Sequence, residues 1–101
     1  MASRIELQAK LEELLGSRNV YFQPPAGIKL RYPAIVYKLS RIQPRHADNM
    51  KYKIDRSYDI TLIDPDPDSH YLNKLHELPY CSFDRSFQSD NLNHFTFTLY
   101  F

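Results

Sequence analysis

Between Lys51 and Leu78 the order of residues leaves few folds open to the chain. Tyr52, Ile54, Tyr58, Ile60 and Leu62 alternate with Lys53, Asp55, Ser57, Asp59 and Thr61, and a period of two means a strand with one dry and one wet face. Asp64-Pro65-Asp66-Pro67-Asp68 ends that strand, because neither proline can donate to a ladder and each disfavours helical geometry in the Asp before it. A helix is predicted straight afterwards, with Asp66 as its cap, Pro67 at the first helical position and Asp68 in the first turn, where the helix dipole favours a carboxylate. Tyr71, Leu72, Leu75 and Leu78 then recur at helical spacing, and their stripe can lie across the strand's dry face.

The flanking segments follow the same logic. Ser3 and Glu6 have the spacing of a capping box, and Ile5, Leu11, Leu14 and Leu15 form an apolar stripe that Gly16 terminates. So short a helix holds its shape only when docked. Val20 to Gln23 is a short strand, followed by an extended connection through Pro24, Pro25, Gly27 and Pro33. Ala34 to Ile42 is a second long strand, rich in Ile, Val, Tyr and Leu. Gln43 to Lys51 reads as an exposed tip between two long antiparallel strands. After Pro79, Tyr80 to Ser89 is extended, Ser89-Asp90-Asn91 is a turn, and Asn93 to Phe101 alternates cleanly, with Phe95, Phe97, Leu99 and Phe101 on one face. Strands in antiparallel runs with helices to one side give an α+β two-layer sandwich: a mainly antiparallel sheet of about four strands, two helices packed on one face, and one domain over residues 1–101.

Charge is divided along the chain. From Lys29 to Arg56 there are eight basic residues against Asp48 and Asp55, whereas from Ser57 to Asn93 there are seven acidic residues against Lys74 and Arg85. Eight Tyr and six Phe exceed what the core of a 101-residue chain holds, so some are expected at the surface, where aromatics favour interfaces. Cys81 is the only cysteine and Met1 to Gly16 is charged and amphipathic, which points to a reducing cytoplasm without a signal peptide. No apolar run approaches the length of a membrane span.

Candidate chemistry fails on spacing. Read as a calcium loop, the Asp64 corner has Ser69 where a Gly is needed and Leu75 where a bidentate Glu is needed. A phosphotransferase or sugar-nucleotide site at this corner would require a larger domain around it. His46, His70, His76, His94 and Cys81 show no metal-ligand spacing. Capping and solvation account for Asp64, Asp66 and Asp68, and a small buried side chain accounts for Cys81, although a nucleophile paired with a distant His stays open. The basic Lys29 to Arg56 surface, interleaved with Tyr32, Tyr37 and Tyr52, has three readings: solvation of two outer strand faces, a nucleic-acid surface, or a contact with an acidic protein. The acidic half of a neighbouring copy is one such protein, and opposite surfaces on one subunit suit a head-to-tail contact that closes into a ring.

Several stretches resemble the tail terminator and tail-completion (neck) proteins of long-tailed bacteriophages. They are Phe22-Gln23-Pro24-Pro25, Leu30-Arg31-Tyr32-Pro33-Ala34-Ile35-Val36-Tyr37, Tyr58 to Asp68, Cys81-Ser82-Phe83-Asp84-Arg85 and Asp90-Asn91-Leu92-Asn93-His94-Phe95, and together they span nearly the whole chain. The resemblance implies a small α+β sandwich that forms a hexameric ring, caps the tail tube and meets the head connector. It also implies a place in the virion tail after assembly in the host cytoplasm, transient contact with DNA in the lumen, and no catalytic residue, cofactor or metal. On this reading Arg41 and Arg45 of one subunit meet Asp64, Asp66 and Asp68 of the next, while His46, Asp48, Asn49 and Lys51 at the tip face a neighbouring ring or the lumen. The alternative function is a small nucleic-acid-binding module using the Lys29 to Arg56 surface.

Overall fold

The computed structural model describes residues 4–25, 27–47 and 50–100, with side chains for all of these except 41–47 and 50–55. Its elements are α1 (Arg4–Leu15), β1 (Val20–Phe22), β2 (Ala34–Ala47), β3 (Met50–Asp64), α2 (Tyr71–His76), β4 (Cys81–Ser89) and β5 (Leu92–Tyr100). The fold is α+β, with one mixed sheet of five strands in the order β1-β2-β3-β5-β4. β1 pairs with β2 in parallel and every other pair is antiparallel, so the sheet is mainly antiparallel, as expected, with one parallel edge.

The alternation in β3 and β5 decides which face is dry. Tyr58, Ile60 and Leu62 lie opposite Leu99, Phe97 and Phe95, and with Ile35 and Tyr37 they join one buried cluster that also takes Leu7, Leu11 and Leu15 of α1 and Leu75 of α2. Both helices therefore cover the same face. Tyr71, Leu72 and Leu78 pack at the margin of that cluster, as the helical stripe predicts.

The phase of α1 differs from the expected one. Ile5 is 71% exposed, and Leu7 is the residue buried with Leu11 and Leu15. At about 100° per residue, positions four apart share a face, whereas Ile5 stands about 200° from Leu7. Ser3, half of the expected capping box, lies outside the described residues. At the other end Gly16 adopts φ 74° and its N–H closes on the carbonyl of Glu12 at 2.9 Å.

Polar groups fix α1 on the sheet. The Tyr37 hydroxyl donates to Gln8 Oε1, and Gln8 Nε2 donates to the Val20 carbonyl at 3.0 Å. Arg4 donates to the Tyr37 oxygen at 3.4 Å while its guanidinium sits 4.5 Å from the centre of the Phe22 ring. Burial raises the Tyr37 pKa, and the hydrogen bond and charge of Arg4 partly oppose that rise.

Candidate functional site

The Asp-Pro corner departs from the predicted helix start. α2 begins at Tyr71, with His70 in the cap position and no side-chain capping bond; Pro67 and Asp68 lie in a turn before it. The cause is local competition. Asp64 Oδ1 accepts from the Asp66 N–H and Asp66 Oδ1 from the Asp68 N–H, both at 2.9 Å, and Ser69 Oγ accepts from the Tyr71 N–H at 3.4 Å. Asp and Ser side chains that bond backbone two residues on build turns in place of the first helical turn, and each proline keeps the Asp before it out of helical geometry. Asn93 ties the corner to β5 by donating Nδ2 to the carbonyls of Asp64 and Pro65 at 3.2 and 3.1 Å.

Burial separates the three carboxylates. Asp64 is 7% exposed, so it serves the corner itself, whereas Asp66 and Asp68 are exposed. Asp90 lies at the same end of the sheet, since β4 pairs back onto β5 as far as Ser89–Leu92, and Asn93 pairs with Asp64. This end is the molecule's acidic pole.

The opposite end of β3 carries the basic residues. Gln43 to Ala47 and Met50 to Lys51, expected as part of a tip, are strand: β2 and β3 stay paired out to Ala47 and Met50. Pro44 is tolerated there because an edge strand can spare an N–H. β5 pairs with β3 only from Ser57 onward, and β1 pairs with β2 only over Ile35–Tyr37. Among the described residues, the segment from Ile42 opposite Arg56 to Ala47 opposite Met50 is thus a two-stranded arm, with Arg41 and Ser57 at its base. Single extra residues interrupt the β2–β3 register at Ser40 on β2 and Tyr52 on β3, which adds twist. Arg45 is on the arm; His46 is opposite Lys51 and Arg45 opposite Lys53. Asp48 and Asn49 lie outside the described residues.

The structure therefore does not bring Arg41 and Arg45 together with Asp64, Asp66 and Asp68 within one copy. β3 has 15 residues, so its ends are roughly 48 Å apart at 3.4 Å per residue, close to the molecule's longest dimension of 50 Å. Only part of the charge division becomes a division between the ends of β3: Arg45, Lys51 and Lys53 lie on the arm, whereas Lys29 and Arg31 precede Ala34, which pairs with Ile63 beside the corner, and Lys38 lies opposite Asp59 in the body of the sheet.

β4 is the element whose importance the sequence conceals. Phe83 and Phe87 are four apart, which in a regular strand places them on one face. The extra residue Asp84 shifts the register between Phe83–Phe97 and Arg85–Thr96, and the two rings part. Phe83 meets Phe97 edge-on at 5.4 Å on the helix side, while Phe87 stacks on His94 at 4.7 Å on the far side. Thr96 Oγ1 pins the bulge by accepting from the Arg85 N–H and donating to the Arg85 carbonyl, and Thr98 Oγ1 donates to Asp84 at 2.7 Å. The guanidinium of Arg85 lies 5.4 Å from the centre of the Phe87 ring.

Among the described residues, Cys81 is not set up as a nucleophile. Burial, reinforced by the negative charge of Asp84, pushes the Cys81 thiol up to about 11, opposite to the direction that activates a cysteine. Against an ordinary thiol near 9, alkylation by iodoacetamide at pH 8 should be slower on the order of a hundredfold, because the rate follows the thiolate fraction. Mass spectrometry of a time course measures this, and reaction at the rate of a free thiol would contradict the stated environment. The sign also predicts that the stabilisation from keeping this thiol neutral is present below pH 9 and fades as pH rises towards 11. Among the described residues, no group of three or more His, Cys, Asp or Glu is placed to hold a metal ion, and no helix is long and apolar enough to cross a membrane.

A scan against protein-family models finds no match, and searches of curated proteins and of solved structures find no similar chain.

Proposed function

We propose that this chain is a ring-forming structural component of the bacteriophage tail-terminator type, which caps a tail tube and joins it to the head connector without catalysis. One observation carries the assembly part of this reading: a basic two-stranded arm and an acidic corner occupy opposite ends of the same strand. Such an arrangement cannot neutralise itself within one copy. It favours a heterologous contact in which the arm of one subunit meets the corner of the next, and successive contacts of that kind close into a ring when the rotation allows. The terminator role, the tube and connector partners and the place in the virion rest on the sequence resemblance described above. Complementary charges of this kind govern register and encounter rate more than affinity; half-exposed Phe83, Phe87 and Tyr100 supply apolar area for the contact.

The test is the solution mass by light scattering over a range of protein and salt concentrations, with negative-stain images of any large species. A ring that loosens as salt rises is the expected result, since exposed charges are screened beyond about 8 Å at physiological ionic strength. A monomer at every concentration and salt would overturn the reading.

A second reading has its own observation. Arg45 opposite Lys53 sets two positive charges against each other across the arm, an arrangement that disfavours the pairing and that a polyanion would relieve. A nucleic-acid-binding arm would bind short oligonucleotides with affinity falling steeply with salt. Absence of binding at low salt removes this reading.

A further inference from the structure

β4 closes the sheet with an edge that has no strand beside it among the described residues, and Ser82 to Ser89 are exposed throughout. Register shows which backbone groups face outward. Asp90 and Asn91 both have positive φ, the geometry of a two-residue hairpin turn that closes on a hydrogen-bonded pair, here Ser89–Leu92. Hydrogen-bonded and non-hydrogen-bonded pairs alternate along an antiparallel ladder. Phe87 therefore bonds across to His94, and the N–H and C=O groups of Ser86 and Gln88 point away from the sheet. Towards Cys81 the edge is broken by the Asp84 bulge, which leaves Arg85 to Ser89 as the straight, open segment.

The chain has a second open edge, on the arm. Its β2 side is unsuited to pairing, since Pro44 in its middle has no N–H. Its β3 side is regular from Lys53 to Arg56, between the extra residue Tyr52 and the point where β5 begins to pair at Ser57. The two open segments are thus of similar length.

We infer that the outer edge of β4, Arg85 to Ser89, receives Lys53 to Arg56 of a second copy as an added antiparallel strand, so that the sheet runs from one subunit into the next. The inference rests on the assembly reading above and supplies its seam. Charge sets the direction. An antiparallel strand carries the second copy's Lys51, His46 and Arg45 past Ser89 to the end that holds Asp90, Asp66 and Asp68, whereas a parallel strand would carry them to the Cys81 end. Phe87, 43% exposed, lies within the open segment, where an added strand covers it. Exposed edges pair readily with other chains, and backbone pairing along an edge is an established mode of recognition.

The experiment removes outward N–H groups and leaves the β4–β5 ladder intact. Gln88→Pro and Ser86→Pro should fold but require about a tenfold higher concentration to assemble for each lost hydrogen bond, while Gln88→Ala, which keeps the N–H, should assemble like the wild type. Amide exchange on the unmodified protein should show protection of Ser86 and Gln88 that grows with concentration. If wild-type rings form, Lys53→Glu breaks them, and yet the proline variants assemble normally or those amides exchange equally fast at all concentrations, the charge contact stands and the added strand is wrong. A wild type that never associates overturns the assembly reading itself. Should either proline variant fail to fold, the exchange measurement decides alone.

Discussion

Phe97→Ala should unfold the protein at a temperature lower by roughly 15 to 30 °C, from a loss of about 3 to 5 kcal/mol in a domain of this size. Phe97 is fully buried at the middle of the sheet, opposite Ile60 on one side and Phe83 on the other. It belongs to the cluster that receives leucines from both helices. Truncation leaves a cavity that strands on both sides cannot collapse into without losing register. Phe87→Ala is the control with the same chemistry. That ring lies half-exposed on the far face against His94, so its loss should cost about 1 kcal/mol or less, in line with an exposed aromatic pair. Thermal unfolding of the two variants reads the bulge at Asp84 directly: comparable losses would mean that both phenylalanines point into the core and that the register shift is absent.

The second large effect is on assembly. Arg41→Glu combined with Arg45→Glu should raise the concentration for half-assembly by at least about tenfold at low salt, with the difference shrinking as salt screens the wild-type contact. Adding Asp68→Lys to that variant should recover part of the lost assembly, because a pole-to-pole contact is indifferent to which pole carries which sign; Asp66 is kept, since its carboxylate accepts from the Asp68 N–H in the turn. Asp64 is excluded from the swap. It is nearly buried and its carboxylate holds the Asp66 N–H, so reversal there would damage the corner and confuse the reading. Assembly unchanged by the double reversal, or lost in the swapped variant as badly as in the reversed one, would show that the poles are not the contact.

Much of the fold was legible because one-sided burial leaves a period in the sequence. The Tyr58–Leu62 and Phe95–Leu99 alternations placed the dry face correctly, and the leucine stripe of α2 placed that helix on it. What escaped depends on competition between local options. Asp66 looked like a helix cap, yet an Asp before a proline bonds its own backbone two residues on, and α2 starts later at Tyr71. Gln43 to Ala47 looked like part of an exposed tip because Pro44 and the charged residues around it have poor strand preference, and only pairing with β3 makes them strand. The expected stripe of α1 took in Ile5 and passed over Leu7, whereas the sheet buries Leu7 and leaves Ile5 exposed. A single inserted residue such as Asp84 leaves no trace in composition or period, so the opposed directions of Phe83 and Phe87 could not be read beforehand.

The candidate site shows the same division. Opposite charge in the two halves of the chain is plain in the sequence, but halves of a sequence are not ends of a molecule. Arg45, Lys51 and Lys53 stand far from the corner because β3 continues through 15 residues from the arm to Asp64, while Lys29, Arg31 and Lys38 of the same basic half do not. The open edge of β4 had no signal at all, since whether a strand lies at an edge is a property of the sheet order.

The most direct test of the pole-to-pole contact is a disulfide between Arg45→Cys and Asp68→Cys in a Cys81→Ser background. The two positions lie near opposite ends of a strand roughly 48 Å long, and a disulfide needs Cα atoms within about 7 Å, so no copy can close on itself. Oxidation under assembling conditions should give a ladder of covalent oligomers ending in a single closed species, with no more than dimers from either single-cysteine control. A double variant that stays uncrosslinked while still assembling, or that stops at dimers, would contradict a head-to-tail ring built from the arm and the acidic corner.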